Sequence, residues 1–137
     1  MGSRKEEPPE MKKVVLAIQN TLVCEAVLSA LKKSGFQTEK TLSQLPDQIA
    51  AVCDWFFADI LLMDVNRAGD SAFDTRMKTV RLVKKHAPSL KIGLLCDNVS
   101  DPEIAYRVKQ AREAGEIDVF FYESVETDYL ADVVDSL

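Results

Sequence analysis

The sequence predicts an α/β fold, a five-stranded parallel sheet that is doubly wound, with helices on both faces. Short apolar runs alternate five times with stripes of apolar residues at helical spacing. The runs are too short and too continuously apolar for amphipathic helices, which is typical of strands buried on both faces. A strand followed by a helix and then another strand gives parallel pairing through right-handed crossovers. The length of 137 residues suits one domain.

Five segments are predicted as strands. Four are strongly apolar and therefore buried, namely residues 14–18, 59–65, 92–96 and 119–122. Residues 36–42 form a weaker, more polar run, which predicts a strand at an edge of the sheet.

A helical stripe follows each strand. The first, residues 22–31, has Asn20 as its N-cap and Gly35 beyond its end, and the second, residues 49–56, is opened by Pro46.

The later stripes also carry helix signals. The third spans residues 73–83, and the fifth spans residues 130–137. In the fourth, Ser100 and Glu103 predict a capping box, with Pro102 in the first turn.

The composition is that of a soluble globular protein. Hydrophobic residues make up 47% and charged residues 28%, with a formal net charge of -5. No apolar run is long enough to span a bilayer and no signal peptide is present, so the sequence predicts a cytoplasmic protein without membrane contact. The acidity argues against direct nucleic-acid binding. Cys24, Cys53 and Cys96 are widely spaced among apolar residues and are predicted to be reduced core thiols.

The first ten residues, MGSRKEEPPE, are polar and show no period. We interpret residues 1–10 as a disordered leader or a remnant of cloning, and residues 11–137 as the domain.

In a parallel sheet of this kind, reactive groups gather beyond the carboxyl ends of the strands. The residues at those positions are Ile18, Gln19, Asp64, Val65, Asn66, Cys96, Asp97, Tyr122 and Glu123.

Three motifs give this alternation a family likeness. The run ILLMDV places Asp64 at the end of the third strand, KKHAPSLKIGLL leads into the fourth, and AREAG precedes the fifth. With these motifs, residues 11–137 resemble the receiver domain of two-component response regulators, the CheY-like domains of flavodoxin-like architecture. The resemblance implies that Asp64 corresponds to the aspartate that accepts a phosphoryl group.

Most of the pocket expected from this resemblance is altered. Ile18 and Gln19 stand where the family has the acidic pair that holds Mg²⁺. Cys96 replaces the usual Thr or Ser and Tyr122 the usual Lys, while Glu123 replaces a Pro. Two further positions belong to the same altered region, namely Asn66 and Val119, the latter in place of the switch aromatic.

These replacements favour a receiver-like domain that acts as a protein-interaction module without Mg²⁺-dependent phosphorylation. Mg²⁺ is usually held by one or two carboxylates, and phosphoryl transfer needs cations to neutralise its charge. We therefore predict no catalytic residue, no metal and no cofactor. The expected partners are proteins, including an output domain outside this sequence.

Three alternatives remain open at this stage. A working receiver would bind Mg²⁺ and be phosphorylated on Asp64 by a histidine kinase. Asp97 and Glu123 would, with Asp64, rebuild a cation site from different strands. A small-molecule sensor would use a cleft made apolar by three residues, namely Ile18, Cys96 and Val119.

Charges and aromatic residues give two further expectations. Basic residues of the third helix, Arg76, Lys78, Arg81, Lys84 and Lys85, are interpreted as a solvated face. A weak homodimer is predicted to pair a basic fourth helix with an acidic fifth helix, through Arg107, Lys109, Arg112, Asp128, Asp132 and Asp135. The cluster Trp55, Phe56 and Phe57, with no basic neighbours in sequence, is interpreted as core packing at a helix end.

Overall fold

The computed structural model describes residues 12–137, so the predicted leader at residues 1–10 lies outside the described residues. Five strands and five helices alternate along this part of the chain. They are β1 (Lys13–Ala17), α1 (Thr21–Lys33), β2 (Gln37–Lys40), α2 (Pro46–Phe56), β3 (Ile60–Asp64), α3 (Phe73–His86), β4 (Lys91–Cys96), α4 (Pro102–Glu113), β5 (Val119–Tyr122) and α5 (Thr127–Asp135). A 3₁₀ turn, Gly69–Ser71, precedes α3.

The strands form one parallel sheet in the order β2-β1-β3-β4-β5, which confirms the predicted fold class. The polar strand β2 lies at an edge, as predicted. Strand order reverses direction at β1, which pairs with β2 on one side and with β3 on the other. The carboxyl ends of β1 and β3 therefore meet at the point where such sheets place their sites.

Two apolar layers enclose the sheet. Helices α2, α3 and α4 contribute Ile49, Met77, Val80, Val108 and other buried residues to one layer. Helices α1 and α5 pack together on the opposite face with Cys24, Leu31, Leu130 and Val134. Because both faces are covered, the strand residues of both layers are removed from water, which explains why their sequence is continuously apolar.

The helix ends agree with the sequence at one predicted cap and disagree at another. The Asn20 side chain caps α1 by accepting a hydrogen bond from the Val23 amide at 3.1 Å, as predicted. The predicted capping box of Ser100 and Glu103 is wrong, because Asp101 is the N-cap of α4 and makes no side-chain cap bond. The Ser100 amide instead donates to the Asp97 carboxylate at 3.0 Å, which makes Ser100 part of the preceding turn.

The prediction that the three aromatic residues pack in the core is wrong for two of them. Trp55 is 68% exposed and Phe57 is 77% exposed, whereas Phe56 is partly buried. Phe57 ends α2 in the left-handed conformation, with φ at 57°, and this backbone geometry directs the chain away from the helix. Lys13 supplies a basic neighbour that is distant in sequence, with its Nζ 5.6 Å from the centre of the Phe57 ring.

The three cysteines are free and buried, as predicted. Burial raises the pKa of the Cys53 thiol to about 12 and, with smaller effects of Glu123 and Asp97, that of Cys96 to about 11. None of the helices formed by residues 12–137 is long and apolar enough to cross a membrane.

Candidate functional site

The candidate site lies at the carboxyl ends of β1 and β3, with Asp64 at its centre. Asp64 is the last residue of β3, and its side chain is fully buried. Directly after β1, the backbone amides of Gln19 and Asn20 point at this carboxylate, from 3.0 Å and 3.2 Å respectively. The turn that follows β1 therefore supplies two hydrogen-bond donors to the aspartate of the neighbouring strand.

Side chains complete the hydrogen bonding of Asp64. Arg76 donates from Nη2 to Oδ1 at 2.9 Å, and Asn66 donates from Nδ2 to Oδ2 at 3.3 Å. With the two backbone amides, each carboxylate oxygen accepts two hydrogen bonds. A carboxylate offers about four lone-pair positions, so the acceptor capacity of Asp64 is filled by this chain.

Arg76 is the residue of this site that the sequence analysis missed. It lies in the first turn of α3, and it is buried rather than part of a solvated basic face. Its Nε donates to the Asp64 carbonyl at 2.7 Å, and its Nη2 donates to the Ala17 carbonyl at 2.9 Å and to Gln44 Oε1 at 2.7 Å. The guanidinium thus joins the ends of β1 and β3 to the loop that follows β2.

The charge of Arg76 is maintained in this buried position. Burial lowers the pKa of its guanidinium, while the nearby carboxylates of Asp64 and Asp70 act in the opposite direction. Arginine has so high an ordinary pKa that it stays protonated in proteins. The site therefore holds a buried ion pair formed by Asp64 and Arg76.

A small polar network fixes the side chains around Asp64. Ser71 donates from Oγ to Gln19 Oε1 at 2.5 Å, and Asn66 Nδ2 donates to the same Ser71 Oγ at 2.8 Å. Gln19 and Asn66 are thus held at the site by the 3₁₀ turn before α3. The Asn66 amide therefore bonds both Asp64 and Ser71, whereas the Gln19 side chain bonds Ser71 and only the Gln19 backbone amide reaches Asp64.

The remaining predicted pocket residues do not bond to Asp64. Cys96 is buried in the layer under α2, α3 and α4. The Tyr122 ring packs edge-on against Phe120, with 5.6 Å between ring centres, and is 38% exposed. Tyr122 therefore does not neutralise the charge of Asp64, which is the function that the resemblance implies for the lysine at this position.

The apolar cleft predicted for a small-molecule sensor is not formed by its three residues. Ile18 and Val119 pack on the α1 and α5 side of the sheet, whereas Cys96 packs on the other side. Ile18 borders a cavity of about 430 Å³ beyond the carboxyl ends of β1 and β2, where most of the other lining residues are polar, including Gln44 and Asp70. The prediction fails because Cys96 faces the opposite layer, and because Val119 pairs with Gly93 at the start of β5 rather than lying beside Cys96.

The receiver resemblance implies a magnesium ion, and Asp64 offers it no free position, because both carboxylate oxygens already accept two hydrogen bonds. Within residues 12–137, no three histidine, cysteine or acidic side chains come close enough together to hold a metal ion. The cation site predicted from Asp64, Asp97 and Glu123 is therefore wrong. Asp97 instead binds backbone amides of its own turn, those of Val99 and Ser100.

Glu123 adds a carboxyl group near the mouth of the site. Burial raises the pKa of this carboxyl, and the negative charges of Asp64 and Asp97 raise it further. A raised pKa in the folded state means that the ionised carboxylate reduces stability at neutral pH. Stability should be regained as the pH falls through the raised pKa toward the ordinary value of 4.5.

We therefore expect Glu123→Gln to stabilise the protein at pH 7. The gain should be below about 1 kcal/mol because the side chain is partly exposed, and it should shrink as the pH approaches the ordinary carboxyl pKa. Melting temperatures of the parent and the variant across this pH range measure it. Glu126→Gln, at an exposed position nearby, is the control and should change little. A gain that grows on acidification would contradict the sign of this prediction.

The predicted interface residues are placed as follows. Arg107 contacts α3 of its own chain: its Nη2 donates to Asp74 at 2.9 Å, and its guanidinium lies 4.4 Å from the centre of the Phe73 ring. The other five, Lys109, Arg112, Asp128, Asp132 and Asp135, are exposed, and none of them is in a salt bridge of the described chain. Arg107 is thus already paired within the monomer.

Several solved structures with this fold are described as response regulators or CheY-like proteins. An orphan response regulator of H. pylori matches with a TM-score of 0.70 at 17% identity, over 91% of this chain and 94% of that chain. The chemotaxis protein CheY4 of Vibrio cholerae matches with a TM-score of 0.71 at 17% identity, over 92% and 98%. A CheY-like protein, TadZ, of Pseudomonas aeruginosa PAO1 matches with a TM-score of 0.71 at 15% identity, over 91% and 98%.

No protein-family model matches the chain, and no curated protein matches it either. The structural likeness, at identities of 11–19%, shows the fold. The chain has the fold of CheY-like receiver domains, in agreement with the resemblance of its sequence.

Proposed function

We propose that this domain is a receiver-like module of signal transduction that acts through protein contacts, without Mg²⁺-dependent phosphorylation of Asp64. One observation carries the proposal: in a receiver fold, the aspartate at the phosphoryl-acceptor position is fully buried and its hydrogen-bonding capacity is filled. An oxygen in this state is not presented to a phosphoryl donor.

The charges around Asp64 support the same proposal. Phosphoryl transfer depends on cations that neutralise the equatorial oxygens of the transferred group. Ile18 and Gln19 provide no carboxylate to hold Mg²⁺, and Tyr122 provides no ammonium. The cation that is present, Arg76, is buried on the inner side of Asp64 and already donates to four oxygens.

The exposed surface of α4 and α5 is the region we propose for partner proteins. It carries basic residues on α4 and acidic residues on α5, and two exposed tyrosines, Tyr106 and Tyr129, lie on these helices. Tyrosine is enriched at protein interfaces, where its ring gives apolar contact and its hydroxyl a hydrogen bond. Three kinds of partner stay predictions. They are a second copy of the chain in a weak homodimer, a histidine kinase, and an output domain outside the sequence.

A titration with Mg²⁺ and beryllofluoride, the stable mimic of an aspartyl phosphate, tests the proposal. We expect no saturable change of the amide resonances of Gln19, Asn20 and Asp64 at millimolar concentrations, because no acceptor position on Asp64 is free. Amide shifts are the suitable readout. Trp55 fluorescence is not a suitable readout. Trp55 lies at the end of α2, just before the start of β3, whereas Asp64 lies at the opposite end of that strand.

A saturable change centred on Asp64 would contradict the proposal. It would favour the alternative function, a working receiver that binds Mg²⁺ and is phosphorylated on Asp64 by a histidine kinase. Asp97→Asn is the matched control for such a response, because it removes an exposed-loop carboxylate that binds only its own turn. A response that Asp97→Asn abolishes would be assigned to that loop and would leave the proposal standing.

A further inference from the structure

The guanidinium of Arg76 is surrounded by oxygen atoms in a way that suits a metal ion. Its Nε and Nη2 contact four oxygens, those of the Asp64 carboxylate, the Asp64 carbonyl, the Ala17 carbonyl and the Gln44 amide, with the two Nη2 hydrogens shared among the last two and the carboxylate. Carboxylate, backbone carbonyl and amide oxygens are also the ligands that hard divalent cations take in proteins. The acidic site of this receiver fold is therefore built around a cation that belongs to the chain.

We infer that Arg76 is a tethered cation that takes the place of a dissociable metal ion and keeps the site at Asp64 closed. The inference rests on the proposed function, because it explains why metal-dependent chemistry is absent. It also goes further, since it assigns to Arg76 a positioning role that the resemblance does not suggest.

The balance of charge supports this inference. The receiver pattern places an acidic pair beside the aspartate, and three carboxylates call for a divalent cation. Here Ile18 and Gln19 replace the pair, so that Asp64 is the one buried carboxylate among the described residues, while Asp70 is exposed and Glu123 partly exposed. One guanidinium neutralises one carboxylate, whereas a divalent ion at the same place would leave an excess positive charge in a buried site. The negative charge of the buried Asp64 carboxylate is thus balanced by the positive charge of Arg76.

The packing of Arg76 supports it as well. The guanidinium is fully buried, and it reaches Asp64 from the side of α3. Among the residues that the structure describes, its Nη1 has no hydrogen-bond partner. All hydrogen bonds of the guanidinium are therefore made by Nε and Nη2, the two nitrogens that face Asp64. A guanidinium in this position excludes any other cation from the same oxygens, because two positive charges would repel each other at close range.

The test replaces the tethered cation and restores a carboxylate. In the variant Gln19→Asp/Arg76→Met, a second carboxylate stands beside Asp64 and the guanidinium is gone. We expect Mg²⁺ alone to raise the melting temperature of this variant by about 3 °C or more, saturably and in the millimolar range. The single variant Gln19→Asp keeps the guanidinium and should show no saturable response, and the parent protein should show none.

The outcomes separate the inference from the proposed function. If the double variant is folded and does not respond to Mg²⁺, the inference is overturned while the proposed function stands. If Gln19→Asp alone responds as strongly as the double variant, Arg76 does not exclude the metal and the inference is also overturned. A saturable response of the parent protein would overturn the proposed function itself.

The inference can also be tested if the variant Gln19→Asp/Arg76→Met is unfolded without metal. Circular dichroism then follows refolding as Mg²⁺ is added, and recovery of the folded state supports the inference. If Mg²⁺ does not refold it, the variant Gln19→Asp/Arg76→Gln is used, because glutamine keeps a polar group that hydrogen-bonds in the same place without a charge. A folded Gln19→Asp/Arg76→Gln that ignores Mg²⁺, or failure of both variants to fold with Mg²⁺, overturns the inference.

Discussion

We expect Arg76→Met to lower the free energy of unfolding by about 3–5 kcal/mol. Methionine fills much of the space of the arginine stem but leaves the Asp64 carboxylate buried without a counter-charge. It also removes the donors that the Ala17 carbonyl and Gln44 now bind. Because the total stability of a domain is about 5–15 kcal/mol, this loss is a large part of it.

Urea unfolding followed by circular dichroism measures the effect of Arg76→Met. Arg81→Met is the matched control: it makes the same change in the same helix, at an exposed position with no salt bridge in the described chain. Its effect should stay within about 0.5 kcal/mol. Equal effects of the two variants would show that the buried ion pair does not exist in solution.

We expect Asp64→Asn to lower the free energy of unfolding by about 3 kcal/mol. The substitution leaves the guanidinium of Arg76 buried without a negative partner. It also turns an acceptor into a donor, so that an amide NH₂ faces either the Asn20 and Asn66 donors or the Gln19 and Arg76 donors. In an acidic site of clustered carboxylates, the same change would relieve repulsion and increase stability.

The double variant Asp64→Asn/Arg76→Met completes this comparison. With both charges removed, no ion remains buried and unpaired, so the double variant should lose less than the sum of the single variants by about 2 kcal/mol or more. Thermal or urea unfolding of the four proteins gives this coupling. An increase in stability for Asp64→Asn, or strictly additive losses, would indicate that Asp64 and Arg76 act independently.

The fold could be predicted from the sequence because its signals are local and repeated. Continuous apolar runs give the buried strands, and the Asn20 cap marks the start of α1. The prediction was wrong where a nearby side chain competes for the same backbone donor. Asp97 takes the Ser100 amide and so removes the capping box that Ser100 and Glu103 predict. The prediction of core packing is also wrong for Trp55, which lies on an exposed face of α2, and for Phe57, where the chain leaves the helix in the left-handed conformation.

The centre of the site could be predicted only in part. Asp64 follows from its place after an apolar strand, but its partner Arg76 is 12 residues away and was grouped with charged neighbours on α3. One signal was available: Arg76, Val80 and Val83 share a helical face, because they are spaced by four and three residues. An arginine on an apolar face near a lone aspartate is a candidate buried pair. Sequence periodicity does not show how its guanidinium is bonded, since Ala17 and Gln44 are brought to it only by the sheet.

The bonds of Arg76 have a consequence for the speed of unfolding. Its partners lie 12, 32 and 59 positions away along the chain, so β1, β3 and the loop after β2 must all be assembled before they can meet. Because these partners are distant in sequence, we expect the pair to lose its water late in folding, so that most of its energy is absent from the transition state. Interactions of this kind slow the opening of the native structure more than they speed its formation. We therefore expect the Arg76–Asp64 pair to slow the unfolding of the native domain, even where its net contribution to the free energy of unfolding is small.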